Sequence, residues 1–191
     1  DPYEKTIPKV NRFVLELFML YVFLSIICGS LYFLNGMSGF DSVIHSMTTI
    51  STGGFSSHNL SFGYFNSFKI EIISIIFMII GSLPFVLYLQ FIHRQRKNFL
   101  NDDQIKLFFI IVVVVVLLTS FWLKIYSSND YLSSFRIAIF NIISILTGTG
   151  YSSNNFSSWG SFGTVIMMII MFIGGCAGST TGGIKIFRLQ I

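Results

Sequence analysis

Four stretches of this chain, 13–34, 72–92, 107–123 and 160–184, hold a single charged residue between them, Glu16. Each is near the roughly 20 residues that an α-helix needs to cross the hydrocarbon of a bilayer, at a rise of about 1.5 Å per residue. Four spans are therefore expected. Composition agrees: 53% of the 191 residues are hydrophobic and 10% charged, where a soluble domain carries about 25% charge. No small-residue cleavage site follows the first stretch, which is also too long for a signal-peptide core, so it reads as a retained span. The start at Asp1 and the end just after a helical stretch read as those of a fragment or processed chain.

The net charge of +4 reports topology rather than a nucleic-acid partner. With alternating helices, Lys5, Lys9, Arg12, Arg94, Arg96, Lys97, Lys106, Lys185 and Arg188 fall on one side, and only Lys69, Lys124 and Arg136 on the other. Basic residues collect on the cytoplasmic side, which puts both ends of the segment and the loop 93–106 in the cytoplasm. Cys28 and Cys176 lie in apolar stretches without paired spacing, which indicates packing rather than a disulfide or a zinc site.

Gly54-Phe55-Ser56-Ser57-His58-Asn59-Leu60-Ser61 returns 96 residues later as Gly150-Tyr151-Ser152-Ser153-Asn154-Asn155-Phe156-Ser157, identical at five of eight positions. The same offset carries 37–50 onto 133–146, two segments of about 14 residues that are too short to cross and have the character of re-entrant helices. The expected fold is an all-α integral membrane protein with two tandem repeats of membrane helix, pore helix, filter loop and membrane helix. Residues 1–12 form a cytoplasmic lead-in. The first repeat is 13–92, with helix 13–34, pore helix 37–50, filter 51–56 and helix 64–92. After the loop 93–106, the second is 107–191, with helix 107–126, pore helix 133–146, filter 147–152 and helix 160–191, broken at 174–183.

Irregular backbone inside a bilayer leaves carbonyls without helical partners, at a cost of several kcal/mol per group unless something satisfies them. A dehydrated cation is one such partner. Glycine matters here because it permits backbone conformations that β-carbons disfavour. Thr52-Gly53-Gly54-Phe55 and Gly148-Thr149-Gly150-Tyr151 have the form of filter strands, each followed by an aromatic residue that packs the strand outward. Two loops do not close a ring around an ion, so either two chains combine or the intact protein holds further copies.

The last apolar run meets Gly174, Gly175, Gly178, Gly182 and Gly183 within ten positions. Each interior glycine costs a helix roughly 0.5–1 kcal/mol relative to alanine, so the helix opens near mid-membrane. Such backbone is tolerated only where it lines a cavity or is buried in protein, which places 174–183 beneath the filter. Ser179, Thr180 and Thr181 are suited to satisfy the freed backbone groups. A phosphate-binding loop is excluded because Ile184 stands where its lysine is required. A helix-packing face from Gly174 to Gly178 is the structural alternative, but it does not explain the Ser/Thr cluster.

Three motifs carry a resemblance: Ser51-Thr52-Gly53-Gly54-Phe55-Ser56, Thr147-Gly148-Thr149-Gly150-Tyr151, and Gly174-Gly175-Cys176-Ala177-Gly178-Ser179-Thr180-Thr181-Gly182-Gly183-Ile184-Lys185. Together they resemble the Trk/Ktr/HKT superfamily of potassium transporters, most closely its bacterial TrkH branch. The resemblance implies half of a four-repeat, potassium-channel-like pore, with these motifs in the second and third repeats. It implies that backbone oxygens of Ser51, Thr52, Gly53, Gly54, Thr147, Gly148, Thr149 and Gly150 bind potassium, which is ligand and substrate, with no covalent cofactor. It further implies a gating loop formed by Gly174, Gly175, Gly178, Ser179, Thr180, Thr181, Gly182 and Gly183. Lys185 either works with that loop or anchors the chain at the cytoplasmic face. The implied whole is a homodimer of the bacterial inner membrane, not an enzyme, that lets potassium move passively down its gradient under a cytosolic nucleotide-binding subunit of the TrkA kind. Gly148 departs from the pattern, which usually has Thr there. Sodium or mixed-cation transport and a non-conducting assembly module are the competing readings.

Other residues have simpler expectations. Pro84 kinks the second span. Glu16 pairs with Arg12 one turn away. Asp41 caps the first pore helix. His45, His58 and His93 lack metal-ligand spacing. Asp102 and Asp103 belong to a solvated connection.

Overall fold

A computed structural model describes residues 2–92, 102–127, 130–155 and 159–190, and all the regular elements among them are helical. The sequence expectations for His93, Arg94, Arg96 and Lys97, for Phe156 and Ser157, and for the side chains of Lys5 and Lys9 lie outside what is described. In chain order the helices are α1 (Pro2–Leu34), α2 (Gly39–Ile50), α3 (Phe68–Ser82), α4 (Phe85–Ile92), α5 (Asp103–Tyr126), α6 (Tyr131–Leu146), α7 (Gly160–Met171) and α8 (Ile186–Leu189), with a 3-10 turn at Ser61–Tyr64.

Among the described residues, two helical segments are by themselves long and apolar enough to cross a membrane, Val10–Leu34 of α1 and the whole of α5. Phe18, Met19, Phe23 and Ile26 of α1 and Val113, Leu117 and Phe121 of α5 are exposed, a display of apolar surface that water does not favour and hydrocarbon does. Arg12 and Glu16 pair at 3.1 Å across one turn of α1.

The stretch 64–92, expected as one helix, is two helices meeting at 89°. Pro84 lacks the N–H that would continue α3, and the residue before a proline is steered out of helical geometry; Leu83 accordingly sits extended at φ −89°, ψ 157°. In the fourth stretch α7 ends at Met171 after 12 residues, or about 18 Å. The rest continues as irregular chain through the glycine-rich segment to α8.

The first pore segment is capped by Ser38, not by Asp41: the Ser38 hydroxyl accepts the Asp41 N–H at 3.1 Å and donates to the Asp41 carboxylate at 2.8 Å. Ser38 is thus a serine N-cap whose hydroxyl is itself held by the carboxylate of the residue it caps. At α5, Asp102 caps by accepting from the N–H of Gln104 at 2.8 Å.

α1 packs on α2 and α3, α5 packs on α6 and α7, and α3 against α6 joins the two halves. An aromatic cluster fills the joint. The ring of Phe62, from the 3-10 turn, lies 4.4 Å from Tyr151, 5.3 Å from Phe140 and 6.1 Å from Tyr32. Beside it, Arg136 of α6 makes a two-pronged pair with Glu71 of α3, at 2.7 and 2.9 Å. Glu71 is 5% exposed.

Removing one partner of a buried pair strands the other, which costs about 3–5 kcal/mol when both are fully buried. With the Arg136 side chain 34% exposed, Glu71→Gln is expected to cost about 2–3 kcal/mol and to lower the thermal midpoint in detergent by about 5–10 °C. Glu71→Leu combined with Arg136→Met should regain most of that loss in the same melt.

Candidate functional site

α2 and α6 end in the same way. After α2, the N–H groups of Ser51, Thr52 and Gly54 fold back on the carbonyls of Met47, Thr49 and Thr48, at 3.1, 3.1 and 3.3 Å. After α6, Thr147, Gly148 and Gly150 fold back on Ile143, Ile145 and Ser144, at 2.9, 2.9 and 3.1 Å. Positive φ recurs as well, at Thr52 (51°) and Gly54 (66°) in one loop and at Gly148 (69°) and Gly150 (85°) in the other. The 96-residue offset is thus repeated in hydrogen bonds and torsions.

This pairing explains Gly148. A side chain held in the left-handed region costs about 1–2 kcal/mol, which glycine avoids. Thr52 bears that strain, but its hydroxyl donates to Ser51 O at 2.7 Å and reaches Thr180 Oγ1 at 3.3 Å.

The two loops touch. A β-carbon on Gly54 would lie 1.7 Å from Thr149 O, so only glycine fits there. Among the described residues, no hydrogen bond reaches the carbonyls of Thr52, Gly53, Gly54, Thr147, Gly148, Thr149 or Gly150. Of the eight residues expected to offer backbone oxygens, Ser51 differs, since its carbonyl is taken by Thr52. Seven carbonyls on two touching loops are thus left as open oxygen acceptors among the described residues.

Hydroxyls hold each strand from behind: Thr48 Oγ1 donates to Phe55 O at 2.9 Å, and Ser144 Oγ to Tyr151 O at 2.7 Å. These two residues are also 96 apart, a match visible in the sequence once the offset is known. The aromatic residues behave differently. Tyr151 is fully buried, whereas Phe55 is 74% exposed.

On one side of the loops, Asp41 accepts from Ser57 Oγ at 2.6 Å, and His58 Nε2 lies 3.2 Å from the same carboxylate. The Ser57 hydroxyl foremost, with help from Ser38 and His58, holds the Asp41 carboxyl below its usual range. His45 is tied to Asp41 O and to Ser56 Oγ at 2.8 and 2.9 Å, so His45, His58 and Asp41 brace one loop.

At the foot of the strands lies the segment 174–183. The α3 break frees the carbonyls of Gly81 and Ser82, and the N–H groups of Thr180 and Cys176 take them at 3.2 and 3.0 Å. Thr180 Oγ1 also lies within 3.1 Å of Ile50 O and 3.0 Å of Gly81 O. A β-carbon on Gly148 would meet Gly182 N at 3.5 Å, so the segment reaches the second loop too. Gly178 O accepts from Phe85 N at 3.1 Å, and Gln104 Oε1 from Ala177 N at 3.1 Å.

Within the segment, Gly174 N donates to Ile184 O at 2.8 Å and Gly175 N to Thr181 Oγ1 at 3.0 Å, while Gly183 turns at φ 77°. Lys185 donates to Thr181 O, to Thr181 Oγ1 at 3.0 Å and to Ser179 Oγ at 3.4 Å. Of its two sequence readings, contact with the loop is the one observed. Sequence reasoning missed Gln104, Thr48, Ser144 and the Glu71–Arg136 pair.

Close packing makes the glycines unequal. A β-carbon on Gly174 would lie 2.0 Å from Gly182 O, whereas one on Gly182 meets nothing within 4 Å. Gly174→Ala is expected to lower the thermal midpoint by about 5 °C or more, and Gly182→Ala to leave it within about 2 °C. Equal shifts would contradict the packing described.

A sequence profile described as "TrkH: Cation transport protein" matches residues 3–191. The chain is 34% identical over 189 residues to the Trk system potassium uptake protein TrkI of Halomonas elongata, covering 98% of this chain and 38% of that protein. It is 33% identical over 188 residues to the Trk system potassium uptake protein TrkH of Escherichia coli K12, covering 96% and 38%. Its fold superposes on the crystal structure of the potassium transporter TrkH from Vibrio parahaemolyticus with a TM-score of 0.90 at 34% identity, covering 96% of this chain and 40% of that one. The chain thus spans about two fifths of the length of these relatives.

Proposed function

The chain belongs to the TrkH family of cation transport proteins, and from that premise we propose that it carries two of the four filter-bearing repeats of a bacterial potassium uptake protein. The open carbonyls of the two loops carry the reading. Thr52, Gly53 and Gly54 on one strand, and Thr147, Gly148, Thr149 and Gly150 on the other, offer oxygens that replace the water of a potassium ion. Ser51 contributes least, its carbonyl being held by Thr52. Two adjoining strands make half a ring, and two more repeats of the longer protein close it.

Movement through this ring is passive, down the electrochemical gradient. The segment 174–183 is the gate, supported by its contacts with both filter feet, and Lys185 latches it shut by binding Thr181 and Ser179. The charge asymmetry puts both ends of the segment in the cytoplasm of a cell whose inner membrane holds the protein. A homodimer under a cytosolic nucleotide-binding subunit of the TrkA kind rests on the resemblance to the family.

Two measurements on the full-length protein in proteoliposomes test this. Gly54→Ala, which cannot fit beside Thr149, is expected to bring potassium flux to about a tenth of the parent's or less at equal protein content; unchanged flux would sink the filter assignment. Thr180→Val removes the hydroxyl joining gate and filter, and should raise flux about three- to tenfold without the regulatory subunit, while Thr180→Ser stays at the parent's level. Parental flux in Thr180→Val would count against the gate.

A further inference from the structure

Cys176-Ala177-Gly178-Ser179, within the segment 174–183, is a β-turn. Ser179 N donates to Cys176 O at 3.3 Å, and Gly178, third of the four, sits at φ 77°, a torsion that calls for glycine at that position. Such a turn uses the N–H of its fourth residue and leaves that of its second, Ala177, without a partner inside the turn. Ala177 N donates instead to Gln104 Oε1 at 3.1 Å.

Two helix starts grip this turn. Phe85 is the first residue of α4, so its N–H has no carbonyl to meet within that helix, and it donates to Gly178 O at 3.1 Å. Gln104 is the second residue of α5, and its own N–H is held by the Asp102 cap at 2.8 Å. The two grips differ in kind. Toward the α3–α4 break, three bonds run from backbone to backbone: Cys176 N to Ser82 O, Thr180 N to Gly81 O and Phe85 N to Gly178 O. Toward α5 the acceptor is the tip of a long side chain. A backbone bond breaks only when the chain itself moves, whereas a side-chain amide lets go by changing rotamer.

From this difference we infer that Gln104 is a gating residue: its amide oxygen holds the turn to α5 in the closed state, and opening begins when that bond is released while the turn stays fastened to the α3–α4 break. The inference rests on reading 174–183 as the gate. Gln104 touches no ion and acts through the turn, which makes it a positioning residue. Loss of one neutral hydrogen bond shifts the balance of closed and open forms about three- to tenfold. The filter loops, and with them the choice of ion, stay as they are.

The test measures potassium and sodium fluxes of the full-length protein in proteoliposomes without a regulatory subunit. It compares the parent with Gln104→Met, Gln104→Glu, Ala177→Pro and the double variant of Gln104→Met with Ala177→Pro. Proline suits the second position of a turn and has no N–H to give. Gln104→Met and Ala177→Pro are each expected to raise potassium flux about three- to tenfold at an unchanged potassium-to-sodium ratio. The double variant should match either single one, because all three lack the same bond. Gln104→Glu keeps an acceptor oxygen and should stay at or below the parent's flux. Parental flux in Gln104→Met, or a double variant as high as the product of the two singles, overturns the inference. So does a flux that falls together with the thermal midpoint, which is what a merely structural contact would give. If Ala177→Pro does not reach the membrane, Gln104→Met against Gln104→Glu decides. Thr180→Val separates two failures: a rise there with none in Gln104→Met defeats this inference alone, and no rise in either defeats the gate reading with it.

Discussion

A carbonyl that leaves a helix inside hydrocarbon must find a donor or a cation, and this chain meets one set of such carbonyls with its own N–H groups and leaves another set open. Where α3 breaks at Leu83 and Pro84, the carbonyls of Gly81 and Ser82 are taken by N–H groups of the glycine-rich segment. Where α2 and α6 end, seven carbonyls are left open. The first set ties the lower loop to a helix end; the second is the set on which the proposed filter rests. Both depend on glycine, because Gly54 and Gly174 stand where a β-carbon would fall 1.7 and 2.0 Å from a neighbouring carbonyl oxygen.

Local signals exposed much of this architecture in the sequence. The uncharged runs located α1 and α5, and the 96-residue offset located the ends of α2 and α6, because hydrophobic length and glycine placement are written along the chain. Pro84 announced a bend, but not one of 89°, since proline removes one donor and the surroundings set the angle. α7 ends at Met171, two residues before the apolar run does, because such a run does not say where backbone bonds pass from helix to loop.

The contacts that escaped were those between distant residues. Nothing near Glu71 points to Arg136, 65 positions on, and nothing near Gln104 points to Ala177. Asp41 reads as a cap from its residue type, whereas Ser38, three residues earlier, has the extended backbone a cap requires. Thr52 and Gly148 show how two answers to one torsion coexist. Where glycine removes the strain, the second loop gives up the hydroxyl that the first directs toward the lower segment.

Tyr151, whose hydroxyl lies 2.6 Å from Thr48 Oγ1, stands 103 residues from it along the chain, and this separation has a meaning in time. At a synthesis rate of about 5–20 residues per second, roughly 5–20 seconds pass between the emergence of one partner and the other. Through that interval the first loop has its helix and its turns but not the tyrosine that reaches it from the next repeat. The first loop is therefore completed only when its successor inserts beside it, and order of arrival in the bilayer becomes part of how the paired loops are built.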